Sequence, residues 1–154
     1  MRTLLILCLA ILPCLGCGSA SGDTAKPVSA YATQGWSLVS AYERAHKEKN
    51  VERALALVHL GQVDVQTRDV LIKNLNEDFA KELVSAKLVP LAGDEKFDIV
   101  INDRHVTPNL KVTKRLRIEL RSPGPDGKPV TSFTEYYVGE RNGRDMIASS
   151  TYNE

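Results

Sequence analysis

The strongest constraint on the fold is the alternating stretch LKVTKRLRIELR at 110–121. Successive side chains of a β-strand point to opposite faces of the sheet. Here one face carries Leu110, Val112, Leu116, Ile118 and Leu120, and the side chains between them are polar or charged. The stretch is therefore predicted to form a long strand with one face in a core and the other in water, which is typical of antiparallel sheets.

Shorter strands are predicted around this one, at 97–101, 130–138 and 146–150. The segment 122–129 is dense in Pro and Gly, and the pair Asn142-Gly143 favours a tight hairpin before the last strand. Pro90 excludes a central strand position for the apolar stretch at 88–91. Consecutive strands joined by tight turns predict a mostly antiparallel sheet.

Three helices are predicted before the strands, from apolar residues that recur at helical spacing. The first covers 34–49. Asn50 is a good N-cap for the second, at 51–59, which Gly61 would end. Thr67 is expected to cap the third helix, which runs to about Lys87. Helices followed by a meander of strands predict an α+β domain, with three N-terminal helices packed on a curved sheet.

This order of elements, with the ending TEYYVGERNGRDMIASS, resembles the nuclear transport factor two-like superfamily of cone-shaped α+β domains, which includes SnoaL-like proteins. The resemblance covers a single domain at 30–154 and rests on pattern, because no sharp motif is present. A cystatin-like fold is the nearest competitor, but it usually has one helix. The resemblance implies a pocket between the sheet and the helices.

The first 29 residues differ in pattern from the rest of the chain. Residues 1–16 have a positive start and a short apolar run, which predicts a secretory signal peptide. Leu15-Gly16 precedes Cys17 and Gly18-Ser19 follows it, and this arrangement resembles a bacterial lipoprotein signal. The resemblance implies that Cys17 is acylated and becomes the new N-terminus. Residues 17–29 would form a flexible tether. Simple secretion is the alternative. The resemblance implies export to the bacterial cell envelope, and the absence of Asp at position 18 favours the outer membrane.

Composition limits the chemistry of the mature domain. The whole chain has three cysteines, Cys8, Cys14 and Cys17. The first two would leave with the signal peptide and the third would carry the lipid, so no thiol remains in the mature domain for catalysis, a disulfide or a metal. The formal net charge of +1 gives no support to nucleic-acid binding, which rests on clustered excess Lys and Arg. No spaced metal motif or phosphate-binding loop is evident, so we expect neither a metal nor another cofactor.

A few acid–base candidates lie outside the apolar pattern. We expect ordinary structural roles for all of them, and so no catalytic residue: His46, His59, Asp64, Asp103 and His105. Four aromatic residues are candidates for the lining of a pocket, with core packing as the alternative interpretation: Trp36, Tyr42, Phe79 and Tyr136.

The polar face of 110–121 is the candidate interaction surface. It carries Lys111, Arg115, Arg117 and Arg121, which could bind an acidic partner or an anionic envelope polymer. The alternative is a solvated face that resists edge-to-edge pairing, with Glu135 offsetting part of its charge across strands.

These features predict a lipid-anchored envelope protein whose domain binds a small ligand or a protein partner without catalysis. A homodimer through the outer face of the sheet is one form of such an interaction. One alternative is a small pocket enzyme of isomerase or hydrolase type, and another is a purely structural role in the envelope.

Overall fold

The computed structural model describes residues 37–61, 63–101 and 103–153. The predicted signal peptide, Cys17, the tether and Trp36 lie outside these residues. The elements in chain order are α1 (Leu38–Lys47), α2 (Val51–Leu55), β1 (Val58–His59), α3 (Val65–Phe79), β2 (Glu82–Pro90), β3 (Ile99–Ile101), β4 (Arg104–Pro108), β5 (Val112–Pro123), β6 (Pro129–Arg141), β7 (Arg144–Ala148) and β8 (Ser150–Asn153).

The strands form two sheets. The larger has five strands in the order β1-β7-β6-β5-β2, and the smaller has three in the order β3-β4-β8. All neighbouring strands are antiparallel except β1 and β7, which pair in parallel. The α+β class and the mostly antiparallel sheet are therefore confirmed. The helices are not one uninterrupted block, because β1 lies between α2 and α3.

Helix α1 has its cap from Ser37, whose hydroxyl accepts a hydrogen bond from the Ser40 backbone N–H at 3.2 Å. The helix ends at Lys47, two residues before the predicted end. The Asn50 cap of α2 is confirmed, because its side-chain oxygen accepts from the Arg53 backbone N–H at 3.0 Å. The predicted extension of α2 to His59 is wrong.

Residues Val58 and His59 form β1 because a long-range pairing competes with the helix there. Val58 pairs with Ile147 and His59 with Ala148. The Ile147 backbone N–H donates to the Leu57 carbonyl at 2.9 Å. These contacts satisfy backbone groups that a longer α2 would have used within the helix.

Helix α3 differs from the prediction at both ends. Its N-cap is Asp64, which accepts hydrogen bonds from the Thr67 backbone N–H at 2.7 Å and the Thr67 hydroxyl at 3.1 Å. The helix ends at Phe79 and not near Lys87, because the following segment pairs with β5 from Glu82 to Pro90. Pro90 ends β2 at the sheet edge, in agreement with the exclusion of a central position.

The alternation in β5 is confirmed at Leu116, Ile118 and Leu120, which are fully buried. The ladder with β6 is irregular between Val112 and Lys114, and then stays regular to the Pro123–Pro129 pair. Lys111 precedes the strand. It therefore lies outside the strand that carries Arg115, Arg117 and Arg121, the arginine row with which it was expected to share a face.

The Asn142-Gly143 hairpin is confirmed, and both residues have the positive φ that a tight hairpin turn requires, at 52° and 73°. The single strand predicted at 146–150 is instead divided between β7 and β8. At the division, the Ser149 N–H donates to the Asn109 side-chain oxygen and the Asn109 N–H donates to the Ser149 carbonyl, both at 2.9 Å. Asn109 therefore diverts the chain away from β6 toward β4.

The core lies between the helices and the inner face of the larger sheet. Its largest fully buried side chains are Tyr42, Leu75, Leu116, Ile118, Leu120, Val138 and Ile147. No helix in the described part of the chain is long and apolar enough to cross a membrane.

Candidate functional site

An open cleft of about 700 Å³ lies between α3 and β6. One wall is α3, which presents Thr67, Val70, Asn74 and Asp78. The other wall is β6 at 134–137. The end of the cleft is formed by residues 148–150, where the chain passes from β7 to β8. The cleft therefore begins where β7 leaves β6.

Asp78 is the buried charged group in the wall of this cleft, with only 5% of its surface exposed. Its carboxylate accepts hydrogen bonds from the Thr134 hydroxyl at 3.2 Å and the Tyr136 hydroxyl at 3.3 Å. The Lys81 ammonium lies 3.4 Å from the same group. These contacts attach the end of α3 to β6, and they supply the pairing that a buried charge needs.

Of the four aromatic candidates, Tyr136 lines the cleft. Tyr42 and Phe79 lie behind it in the core, and their rings pack edge to face with centroids 5.9 Å apart. Tyr42 is also 6.4 Å from the Tyr136 ring. Trp36 lies outside the described residues. Tyr42 and Phe79 are therefore core residues, as the alternative interpretation held, and Tyr136 lines the cleft.

Both tyrosines stay protonated at neutral pH. Burial raises the pKa of Tyr42 and of Tyr136 well above the usual 10.0, and the nearby Asp78 carboxylate raises both further. Tyr136 therefore acts as a hydrogen-bond donor in the cleft. Within the described residues, the buried Tyr42 hydroxyl has no hydrogen-bond partner.

His46 is buried behind α3 and does not line the cleft. Its Nε2 donates to the Asp78 backbone carbonyl at 3.2 Å, and its ring packs against Phe79 with centroids 4.9 Å apart. Burial lowers the pKa of His46 below its usual 6.5. His46 is therefore a neutral residue that supports the C-terminal end of α3.

The other acid–base candidates lie apart from the cleft. Burial, and then the Arg141 charge, lower the pKa of His59. Asp64 caps α3, and His105 in β4 is paired with Asp98 at 2.8 Å. Asp103 is exposed, with a positive φ of 61°. The structure brings none of these four residues into the cleft wall.

The arginine row lies on the outer face of the larger sheet, and carboxylates accompany it. Arg115 is 2.9 Å from Glu135 and 3.6 Å from Glu95. Arg117 is 3.7 Å from Glu135, and Arg121 is 3.8 Å from Glu82. The expected cross-strand compensation by Glu135 is confirmed. Much of the charge on this face is thus balanced within the chain.

Sequence reasoning missed Asp78 and Thr134. A signal for Asp78 exists, because it follows Leu71 and Leu75 at helical spacing and immediately precedes Phe79. A carboxylate on the apolar stripe of a helix indicates a buried, paired charge. No sequence signal marks Thr134, because its hydrogen bond to Asp78 depends on how α3 packs against β6.

The described residues contain no group of three or more His, Cys, Asp or Glu side chains that could hold a metal ion. In comparisons with known proteins, no family model matches the chain, and a search of curated proteins finds no match.

Proposed function

We propose that this chain is a lipid-anchored protein of the bacterial envelope whose α+β domain binds a ligand in the cleft between α3 and β6 without transforming it. The observation that carries the proposal is the cleft itself. It offers hydroxyl, amide and carboxylate groups beside exposed apolar surface, as binding sites commonly do. The anchor rests on the resemblance of residues 1–17 to a lipoprotein signal. We place the domain in the nuclear transport factor two-like superfamily on its order of elements.

A non-catalytic role is favoured by the state of Asp78. Its carboxylate is occupied by Thr134, Tyr136 and Lys81, so a substrate proton would have to compete with three internal partners. Among the residues that the structure describes, the cleft lining contains no histidine. A general base must reach the proton that it abstracts, and Asp78 is almost completely covered.

A small pocket enzyme is the second candidate function, and the buried pair of Asp78 and Tyr136 in the cleft wall favours it. On this alternative, Tyr136 would turn its hydroxyl proton from Asp78 to the reacting oxygen. Turnover of a bound compound that is lost in Asp78→Asn, with binding retained, would support the enzyme over the binding protein.

The binding function is tested by a thermal-shift screen of the full chain against sugars, amino acids, nucleotides, peptidoglycan fragments and lipopolysaccharide. A ligand at a hundred times its dissociation constant adds about 2.7 kcal/mol of stability. Asn74→Trp fills the cleft and is expected to abolish the shift. Asn76→Trp is the matched control, because Asn76 is exposed on the same helix and does not line the cleft. A hit that both variants bind equally would place the ligand elsewhere.

Anchoring is tested separately by Cys17→Ser. The wild-type chain is expected to incorporate labelled palmitate and to sediment with membranes, and the variant is expected to do neither. Membrane association that persists without label would contradict the lipid anchor.

The outer face provides a weaker basis for a homodimer, since its arginines are already paired. The double charge reversal Arg115→Glu and Arg117→Glu would lower the sedimentation coefficient only if that face joins two copies.

A further inference from the structure

Strand β6 extends far beyond its neighbour β7. The ladder between the two covers only Val138 to Arg141 of β6, although β6 begins at Pro129. On its other side β6 pairs with β5 from Pro129 to Gly139. Within the described residues, the edge of β6 from 129 to 137 therefore has no neighbouring strand.

The direction of the free backbone groups follows from one hydrogen bond. The Ile147 N–H donates to the Leu57 carbonyl next to β1, so it points away from β6. Because N–H groups alternate sides along a strand, Met146 faces β6 and forms the hydrogen-bonded pair with Gly139. Every second residue back along β6 then presents its N–H and C=O to the open edge. These residues include Thr131, Phe133 and Glu135.

This edge has few of the usual protections against strand addition. Natural edges are blunted by charged side chains, lysine above all, by proline, bulges or short length, or by a covering helix or loop. Between 130 and 137 β6 has one charged residue, Glu135, and no lysine or proline, and its register with β5 is regular. Phe133 is 53% exposed and Val130 is 47% exposed. The segment is a regular strand of high β-propensity with an open backbone.

The cleft occupies the space into which β7 would continue. It is bounded by β6 at 134–137 and by the residues at which β7 ends, and α3 forms its other wall. The edge from 131 to 137 is about 20 Å long at the rise of an extended chain, and α3 is about 22 Å long. An extended segment of about six residues would lie in the cleft along 134–137 and continue along the open edge toward 131.

The charges in the groove favour a basic occupant. In the described part of the chain, its charged lining consists of three carboxylates, from Glu77, Asp78 and Glu135, and one ammonium, from Lys81. Asp78 and Glu135 have close partners within the chain. The Glu77 side chain is 60% exposed, and its ion pair with Lys73 is long, at 3.9 Å. Glu77 is therefore the group best placed to receive a cation from a ligand.

We propose that the ligand of this cleft is an extended peptide segment of another protein, which adds a strand to the open edge of β6 and places a Lys or Arg side chain against Glu77. The inference rests on the proposed function, because it names the ligand class of the same cleft. Backbone hydrogen bonds to Phe133 and Glu135 hold the peptide, and α3 covers one face of it. This is recognition by strand addition.

The probe is a phage-displayed library of random ten-residue peptides selected against the immobilised full chain. Selected peptides are expected to contain Lys or Arg and to lack Pro in their central residues. Glu77→Gln is expected to weaken them about threefold, as for an exposed ion pair.

The decisive variants are Glu135→Pro and its matched control Glu135→Gln. Proline removes the N–H that points to the open edge and leaves the ladder with β5 intact, whereas glutamine retains that N–H. We expect Glu135→Pro to weaken the selected peptides about tenfold or more, and Glu135→Gln to change binding less than threefold. The pair Phe133→Pro and Phe133→Ala repeats the test one hydrogen-bonding position away, and it replaces the first pair if Glu135→Pro does not fold.

The outcomes separate this inference from the proposed function. Failure to enrich any peptide, or peptides that bind the proline variants as tightly as the wild type, overturns strand addition. If small molecules then bind the wild type but not Asn74→Trp, the proposed function stands and only the peptide is wrong. If neither screen yields a ligand that Asn74→Trp excludes, both proposals fail.

Discussion

Replacing Asp78 by alanine removes the acceptor for the hydroxyls of Thr134 and Tyr136 and leaves both without their partner at the cleft wall. A buried donor that loses its partner costs about 1–3 kcal/mol. Both hydroxyls belong to partly exposed residues, which places each near the lower end of that range. We therefore expect Asp78→Ala to lower the free energy of unfolding by about 2–3 kcal/mol, equivalent to a fall of about 8–12 °C in the melting temperature.

The assay is urea unfolding of the full chain for Asp78→Ala, Tyr136→Phe and their double variant. Tyr136→Phe is expected to cost about 1 kcal/mol, and the double variant less than the sum, because both changes remove the same hydrogen bond. Tyr42→Phe is the matched control, because the Tyr42 hydroxyl has no partner within the described residues and its loss should cost nothing. Two results would refute this reasoning. One is a free energy of unfolding for Asp78→Ala within about 0.5 kcal/mol of the wild type, and the other is a loss in Tyr42→Phe as large as that in Tyr136→Phe.

Three further predictions concern the framework of the cleft. Gly139→Ala should destabilise the chain by about 1–3 kcal/mol in urea unfolding, because its Cβ would lie 2.6 Å from the Lys111 carbonyl oxygen; a neutral result would contradict that close approach. Asn109→Ala should cost about 1–3 kcal/mol by the same assay, since its side chain binds the Ser149 N–H and the His59 carbonyl; an unchanged midpoint would argue against its role in diverting β7. Burial gives His46 a lower pKa in the folded protein than in the unfolded chain, where it is 6.5. Its contribution to stability is therefore complete above the pKa of the unfolded chain, and it is lost as the pH falls through the pKa of the folded state. Melting curves from pH 7.5 to 5 should show this loss in the wild type and less of it in His46→Gln, and equal slopes would refute it.

Local chemistry was sufficient to predict the elements that depend on neighbours in sequence. The alternation of Leu116, Ile118 and Leu120 correctly predicted β5. Asn50 and the Asn142-Gly143 pair correctly predicted a helix cap and a hairpin. In each case a few adjacent residues determine the outcome through side-chain direction, a cap or a positive φ.

The largest errors of prediction involve segments whose partners are distant in sequence. Leu83 continues the helical spacing of Leu71, Leu75 and Phe79, but its segment pairs with β5, and Leu83 lies opposite Leu120. Val58 likewise leaves the helix to pair with Ile147. Strand pairing depends on context more than on the segment's own propensity, so such competition is not visible locally.

The candidate site was predictable only in part for the same reason. Tyr136 was identified as a lining residue, and Asp78 could have been identified from its position on the apolar stripe of α3. The cleft itself arises because β7 stops short of the full length of β6. That end depends on Asn109, which is 40 residues away from Ser149.

Residue-resolved amide hydrogen exchange of the purified full chain tests the open edge of β6 most directly. We expect alternation: the amides of Thr131, Phe133 and Glu135 exchange fast, whereas those of Ser132, Thr134 and Tyr136 are protected by β5. A bound peptide should then slow the fast set alone. Uniform protection from 131 to 136 in the free protein would contradict the account, because the edge at the centre of the proposed site would already be occupied.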